Sequence, residues 1–314
     1  MRKVTIIGAG NVGATIAYTL AVEGIANEIV MIDIRHEKAK GEAMDIGQGA
    51  PFFPGTNIYA GDYVDAADSD IVVITSGIGR TAGQSRLDLA QINVNILSQI
   101  AQQITHYAPR AIYLLVSNPV DIMTYVFHKI TDIPRNHIIG SGTILDTSRL
   151  RSYLANHFDV SQKNIHAHVF GEHGDTSFIP WSLASVSSVP VDEYAEYACK
   201  ANDSILPLEK AEAEKYVRSS GSEIIARKGA TYYAVSVAAV HICKCIFSDD
   251  DAVLTVSSLL DGEYGLSDVA LSMLTVVGQR GVKARIPAKL SPEELAKLHH
   301  SAESLQKVIK KLKF

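Results

Sequence analysis

An apolar run, Val4-Thr5-Ile6-Ile7, leads straight into Gly8-Ala9-Gly10-Asn11-Val12-Gly13 at the start of the chain. A second apolar run, Glu28-Ile29-Val30-Met31-Ile32, ends on Asp33, 20 positions after Gly13. Glycines in a G-x-G-x-x-G spacing mark many ordinary turns. Between a strand and a helix they have a narrower meaning. Backbone without side chains lets N–H groups approach a pyrophosphate, and the helix N-terminus adds its positive dipole. A carboxylate at the end of the next strand then reaches the ribose hydroxyls and repels a 2′-phosphate, which favours NAD over NADP. The alternative for Asp33 is a cap on the following helix. A flavin or a nucleotide sugar would use the same loop, so this feature sets the fold and leaves the reaction open.

The surrounding pattern agrees. Short β-rich runs at Lys3–Ile7, Glu28–Asp33, Asn57–Gly61, Ile71–Thr75, Ala111–Ser117 and His137–Gly140 alternate with helical patterns such as Val12–Glu23 and Leu87–Tyr107. Most of the runs are continuously apolar, as expected of strands covered on both faces. The expected fold class is therefore α/β, with a doubly wound parallel Rossmann sheet in residues 1–142 and an α+β catalytic domain in residues 143–314. The rhythm changes after Gly140. Helices are expected from Asp146 to His157, over Val191–Lys228 and over Thr231–Phe247, with antiparallel hairpins between Ala252 and Val282. Ser291-Pro292-Glu293-Glu294 is a capping box opening a last helix.

A chain of 314 residues suits roughly two domains at ~150 residues each. With 47% hydrophobic and 20% charged residues it reads as globular. Lys+Arg of 29 against Asp+Glu of 34 leaves a net charge of −5, so no overall basic field for nucleic acid or anionic lipid is expected. Cys199, Cys243 and Cys245 have neither disulfide-framework nor zinc-site spacing, which suggests reduced thiols and no metal. The N-terminal apolar run is too short for a signal-peptide core, and no apolar stretch approaches ~20 residues. A cytoplasmic protein without membrane contact is the expectation.

Three segments carry candidate chemistry. In Gly171-Glu172-His173-Gly174-Asp175 a histidine stands between glycines on an irregular segment, a poor place for core packing. Asp146 and Arg149 in Asp146-Thr147-Ser148-Arg149 are three apart and share a helix face. Gly77-Ile78-Gly79-Arg80-Thr81-Ala82-Gly83-Gln84-Ser85-Arg86 follows the fourth strand on the crevice side of the sheet. A lone histidine is usually structural and loop arginines are usually solvated, so each segment needs the others as partners.

Together, and with Ser117-Asn118-Pro119-Val120-Asp121, Ile139-Gly140-Ser141-Gly142-Thr143 and Lys228-Gly229-Ala230-Thr231-Tyr232-Tyr233, these segments resemble the L-lactate/L-malate dehydrogenase family over the whole chain. Within it they are most similar to the bacterial lactate branch. The resemblance implies NAD-dependent hydride transfer between pyruvate and L-lactate. It implies His173 as general acid/base, with Asp146 orienting its ring. Arg149 would clamp the substrate carboxylate, Arg86 and Asn118 would polarise the reacting carbonyl, and Thr231 would line the substrate pocket. It implies cofactor contacts from Gly8, Gly10, Asn11, Val12, Gly13, Asp33, Lys38, Tyr63, Gly77, Ile78, Ser98, Val116, Ser117, Asn118 and Ser141.

Two positions qualify this expectation. Six residues before Arg86 lactate dehydrogenases generally have Gln and malate dehydrogenases Arg. This chain has Arg80, which makes a malate dehydrogenase or a broader L-2-hydroxy acid dehydrogenase the alternative. Arg151 and His166 stand where bacterial relatives activated by fructose bisphosphate hold the effector, the other reading being two surface residues without a ligand. The family usually forms homotetramers. A non-catalytic NAD-binding protein is the remaining class, and it has no need of a proton donor beside two anion clamps.

Overall fold

A computed structural model of the chain describes residues 2–79 and 85–314. In the first half β1 (Lys3–Ile7), β2 (Glu28–Ile32), β3 (Asn57–Ala60), β4 (Ile71–Ile74), β5 (Ile112–Leu115) and β6 (Ile138–Gly140) alternate with α1 (Asn11–Val22), α2 (His36–Gln48), α3 (Arg86–Tyr107) and α4 (Val120–Ile130). All six expected strands are present, within two residues at either end. They pair in parallel in the order β6-β5-β4-β1-β2-β3, so the order in which strands are added across the sheet reverses at β1 and β4. Alternate residues face opposite layers. Val72, Ile74, Tyr113 and Leu115 share a core with α3 and α4, while Ile71, Val73, Ile112 and Leu114 share one with α1. This double burial explains why the runs are apolar without alternation.

The second half contains α5 (Ile144–Phe158), three two-residue strands β7 (Ile165–His166), β8 (Ser185–Val186) and β9 (Val189–Pro190), then α6 (Val191–Ala201), α7 (Lys210–Lys228) and α8 (Tyr233–Phe247). β10 (Ala252–Leu254), β11 (Ser257–Asp261), β12 (Ser267–Ser272), β13 (Thr275–Gly278), β14 (Gly281–Arg285) and α9 (Pro292–Ile309) complete it. One expected helix is corrected. Val191–Lys228 divides into α6 and α7, because Asn202 folds back to accept the Ser204 N–H at 3.0 Å and Pro207 has no N–H to continue a helix.

The hairpins form as expected, but one goes further. β11 pairs antiparallel with β6 through Ser257 and Gly140, so β11 and β12 extend the parallel sheet to eight strands. The second half thus joins the first along the β6 edge of its sheet. α9 begins as the capping box requires, with the Ser291 hydroxyl accepting the Glu294 N–H at 3.2 Å and the Glu294 carboxylate accepting the Ser291 N–H at 2.9 Å. No helix among the described residues is long and apolar enough to cross a membrane.

Candidate active site

The glycine loop is built for something to lie on it. A side-chain carbon on Gly13 would sit 1.9 Å from the Gly8 carbonyl, so α1 can approach β1 this closely only with glycine. At Gly10, by contrast, such a carbon would meet nothing within 4 Å. That opening lies at the N-terminus of α1, whose first N–H groups have no side-chain cap. Asn11 and Val12 form its first turn, and the Val12 carbonyl accepts the Ser236 hydroxyl of α8 at 3.1 Å. Asp33 accepts the Ala9 N–H at 2.7 Å and the Arg35 N–H at 2.9 Å. The residue that caps α2 is Arg35, so the helix-cap alternative for Asp33 is removed. The carboxylate is held against the glycine loop instead, and the open backbone at Gly10 together with this acid would suit a dinucleotide.

The other expected cofactor residues are spread over the turns and helices that follow the strands. Lys38 lies in the first turn of α2 and Tyr63 in a short turn after β3, both half-buried. Gly77 and Ile78 follow β4. The Ile78 N–H donates to the Asn93 side-chain oxygen at 2.9 Å, and the Asn93 amide donates to the Asn118 carbonyl at 2.7 Å. Asn93, 3% exposed on α3, therefore ties the ends of β4 and β5 together. It was not among the residues the sequence singled out, because one Asn in a helical stripe carries no local signal. Val116 and Ser117 are buried after β5, with the Ser117 hydroxyl on the Ser76 carbonyl at 2.5 Å. Ser141 follows β6, and Ser98 stands half-buried on α3 with its hydroxyl on the Val94 carbonyl at 2.9 Å. Asn118, at the start of the loop into α4, is exposed.

The second half brings the acid, the base and the cation together. Thr143, just before α5, hydrogen-bonds the Val169 carbonyl, and Thr147 accepts the Val169 N–H at 3.0 Å. This buried hydroxyl seam fixes the segment leading to His173 against α5. Ser301 of α9 holds the segment on both sides of the histidine, accepting the Glu172 N–H at 2.8 Å and the Thr176 hydroxyl at 3.0 Å. Between these anchors His173 Nδ1 lies 2.5 Å from Asp146 Oδ2, and Arg149 Nη1 donates to Asp146 Oδ1 at 2.9 Å. Asp146 is 6% exposed. Burial alone would raise its pKa, but the His173 imidazole and the Arg149 guanidinium outweigh burial and hold it below the usual carboxylate value. The Asp146 charge in turn lifts the imidazole, against burial, to about 9.

Arg86, the first residue of α3, pairs with the exposed Asp175 carboxylate two positions beyond His173. The guanidinium thus stands on the outer side of the histidine loop. Thr231 is half-buried between α7 and α8, and among the described residues no hydrogen bond ties it to this group. Arg80 lies outside the described residues.

Arg151 and His166 are brought close by backbone. Arg151 Nε donates to the carbonyl of Ala167, the residue after His166, at 3.1 Å. His168 is a third member that the sequence reading missed. Burial, Arg151 and His166 together push it down to about 4.

Comparison with known proteins agrees with this geometry. Residues 2–140 match the lactate/malate dehydrogenase NAD binding domain and residues 143–314 the lactate/malate dehydrogenase alpha/beta C-terminal domain. An L-lactate dehydrogenase of Acetivibrio thermocellus is 44% identical over 312 residues, covering 99% of this chain and 98% of that one. One from Thermoanaerobacterium saccharolyticum is 44% identical over 315 residues, covering 99% of each. The crystal structure of the minor L-lactate dehydrogenase from Enterococcus mundtii superposes with a TM-score of 0.94 at 36% identity, over 100% of this chain and 99% of that one. With both halves matched, and with a glycine-rich loop in the first and a histidine–aspartate–arginine group in the second, the chain belongs to the lactate/malate dehydrogenase family.

Proposed function

We propose that this chain is an NAD-dependent L-lactate dehydrogenase, interconverting pyruvate and L-lactate in the cytoplasm. The observation that carries the reading is the His173–Asp146–Arg149 group, in a chain whose L-lactate dehydrogenase relatives match it from end to end. When bound, the nicotinamide donates or accepts the hydride. Residues 1–142 hold it and residues 143–314 hold the substrate. His173 spends Nδ1 on Asp146, so Nε2 is the nitrogen that gives a proton to the pyruvate oxygen or takes one from the lactate hydroxyl. Arg149 has five N–H donors and commits one nitrogen to Asp146, leaving a pair for the planar carboxylate. Arg86 and Asn118 polarise the carbonyl as the pocket closes, and Thr231 lines its far side.

A malate dehydrogenase reading would rest on Arg80 alone, against relatives that are L-lactate dehydrogenases. The deciding experiment compares NADH oxidation with pyruvate and with oxaloacetate. Pyruvate should be the better substrate, and a large preference for oxaloacetate would reverse the assignment.

The cofactor choice has its own test. Asp33→Ser should weaken NADH binding and raise the relative efficiency with NADPH, because the 2′-phosphate no longer meets a carboxylate. An unchanged ratio of kcat/KM for the two cofactors would mean that another residue reads the ribose.

We also assign Arg151 and His166 to an anionic effector, fructose bisphosphate, bound by a homotetramer in which the site is duplicated across a two-fold contact. The Arg151 guanidinium, held beside the His166–His168 segment, supports this. Effector should lower the KM for pyruvate or strengthen subunit association. Kinetics and sedimentation with and without it give the answer, and no response in either removes the assignment.

A further inference from the structure

One carboxylate near His173 has no place in the reaction as described. Asp121 lies in the first turn of α4, 2% exposed. One of its oxygens accepts the backbone N–H of His173 at 2.7 Å, and the other accepts the Ser257 hydroxyl at 2.6 Å. Ser257 is itself fully buried on β11, at the point where β11 pairs with β6. Three elements distant in sequence thus meet on one acid. Two neutral donors and the N-terminal end of α4 are modest compensation for a buried negative charge. Burial pushes Asp121 up to about 6, against the two hydrogen bonds.

The charges facing His173 define what this does. Asp146 and Arg149 face it from α5 and Asp121 from α4, while Glu172, in its own segment, acts on Asp121. Arg86 and Asp175 neutralise each other on the outer side of the loop. Among the described residues, β11 and α9 meet this group through the hydroxyls of Ser257 and Ser301. Arg149 offsets one of the two buried aspartates. The charge that offsets the other is the protonated imidazole.

We propose that Asp121 is a positioning residue for His173: it fixes the histidine through the main chain and supplies a second buried negative charge that keeps the ring protonated until the proton is transferred. This rests on His173 being the acid/base. The ring would then be governed from two sides, by Asp146 at Nδ1 and by Asp121 through the backbone.

The test uses the full-length protein. Asp121→Asn keeps an acceptor for the His173 N–H and removes the charge. In an NMR titration of the ring, assigned by its absence in His173→Gln, the pKa should fall by about one unit. Pyruvate reduction needs the protonated ring, so its kcat/KM is retained below that pKa and lost above it. The falling limb should therefore move about one unit lower in Asp121→Asn, roughly a tenfold loss on the alkaline side. At the alkaline pH where the ring titrates, Ser257→Ala leaves Asp121 charged and removes a donor that offsets that charge, so the ring pKa should hold or rise. A purely structural role for Asp121 would lower activity at every pH and leave the limb in place. An unmoved ring pKa or limb in Asp121→Asn, or a fall in Ser257→Ala, overturns the proposal. Unchanged turnover in His173→Gln would overturn the acid/base reading beneath it, and the ring titration in Asp121→Asn separates that failure from an absence of coupling.

Discussion

His173→Gln should bind NADH with nearly unchanged affinity and lose about 100- to 10,000-fold in turnover in both directions, the usual worth of a positioned proton donor. The two halves of this result have separate structural causes. The cofactor loop, Gly8 to Gly13 with Asp33, is held by β1, β2 and Thr75, whose hydroxyl donates to the Gly8 carbonyl at 3.0 Å. None of those contacts passes through His173. The glutamine amide cannot exchange a proton with the substrate oxygen, and the site also loses the cation between Asp146 and Asp121. Fluorescence titration with NADH, beside steady-state rates on the same preparation, checks both halves. Wild-type turnover would remove His173 from the mechanism.

Asp146→Asn should be nearly as damaging, and its signature is the pH profile. In the wild type the free enzyme's kcat/KM for pyruvate should be retained below pH about 9 and fall above it, because reduction consumes the imidazole proton that Asp146 holds up to about 9. Lactate oxidation, which needs the neutral ring, should rise through the same value. Replacing Asp146 by Asn removes the largest influence raising the ring's pKa, so both limbs should move to lower pH. The amide also cannot accept from both Arg149 and the ring as the carboxylate does, so KM for pyruvate should rise as the guanidinium loses its anchor. At neutral pH a loss of about 100- to 10,000-fold in pyruvate kcat/KM is expected, the upper end matching the loss of an orienting aspartate in the serine-protease triad. Limbs that stay in place would mean that Asp146 orients the ring without setting its charge.

Much of this architecture was legible in the chain because it is local. The glycine spacing, the acid 20 positions on and the six apolar runs each follow from backbone geometry and burial over a few residues. So does the capping box at Ser291, where donor and acceptor lie three residues apart. The histidine, aspartate and arginine were named from the family's spacing, since nothing local says that residues 27 apart, Asp146 and His173, will touch. Where local pattern was the only guide it overran. A helical rhythm continued through Asn202 and Pro207, where side-chain and ring chemistry stop the helix.

By itself, then, the sequence determined the doubly wound sheet, the glycine loop with the acid that ends the next strand, and the residue types of the His173–Asp146–Arg149 group. Each depends on short-range periodicity or on a motif read as a unit. Only the tertiary structure decided that β11 and β12 extend that sheet, that Asn93 ties two strand ends together, and that Asp33 grips the glycine loop without capping α2. It alone placed Asp121 beneath His173 and joined His168 to Arg151. These are hydrogen bonds and charge contacts between segments tens to more than a hundred residues apart. Their partners are selected by which surfaces the core brings together, and an acid such as Asp121, set among apolar residues of one helix, shows in the sequence only that something must compensate it.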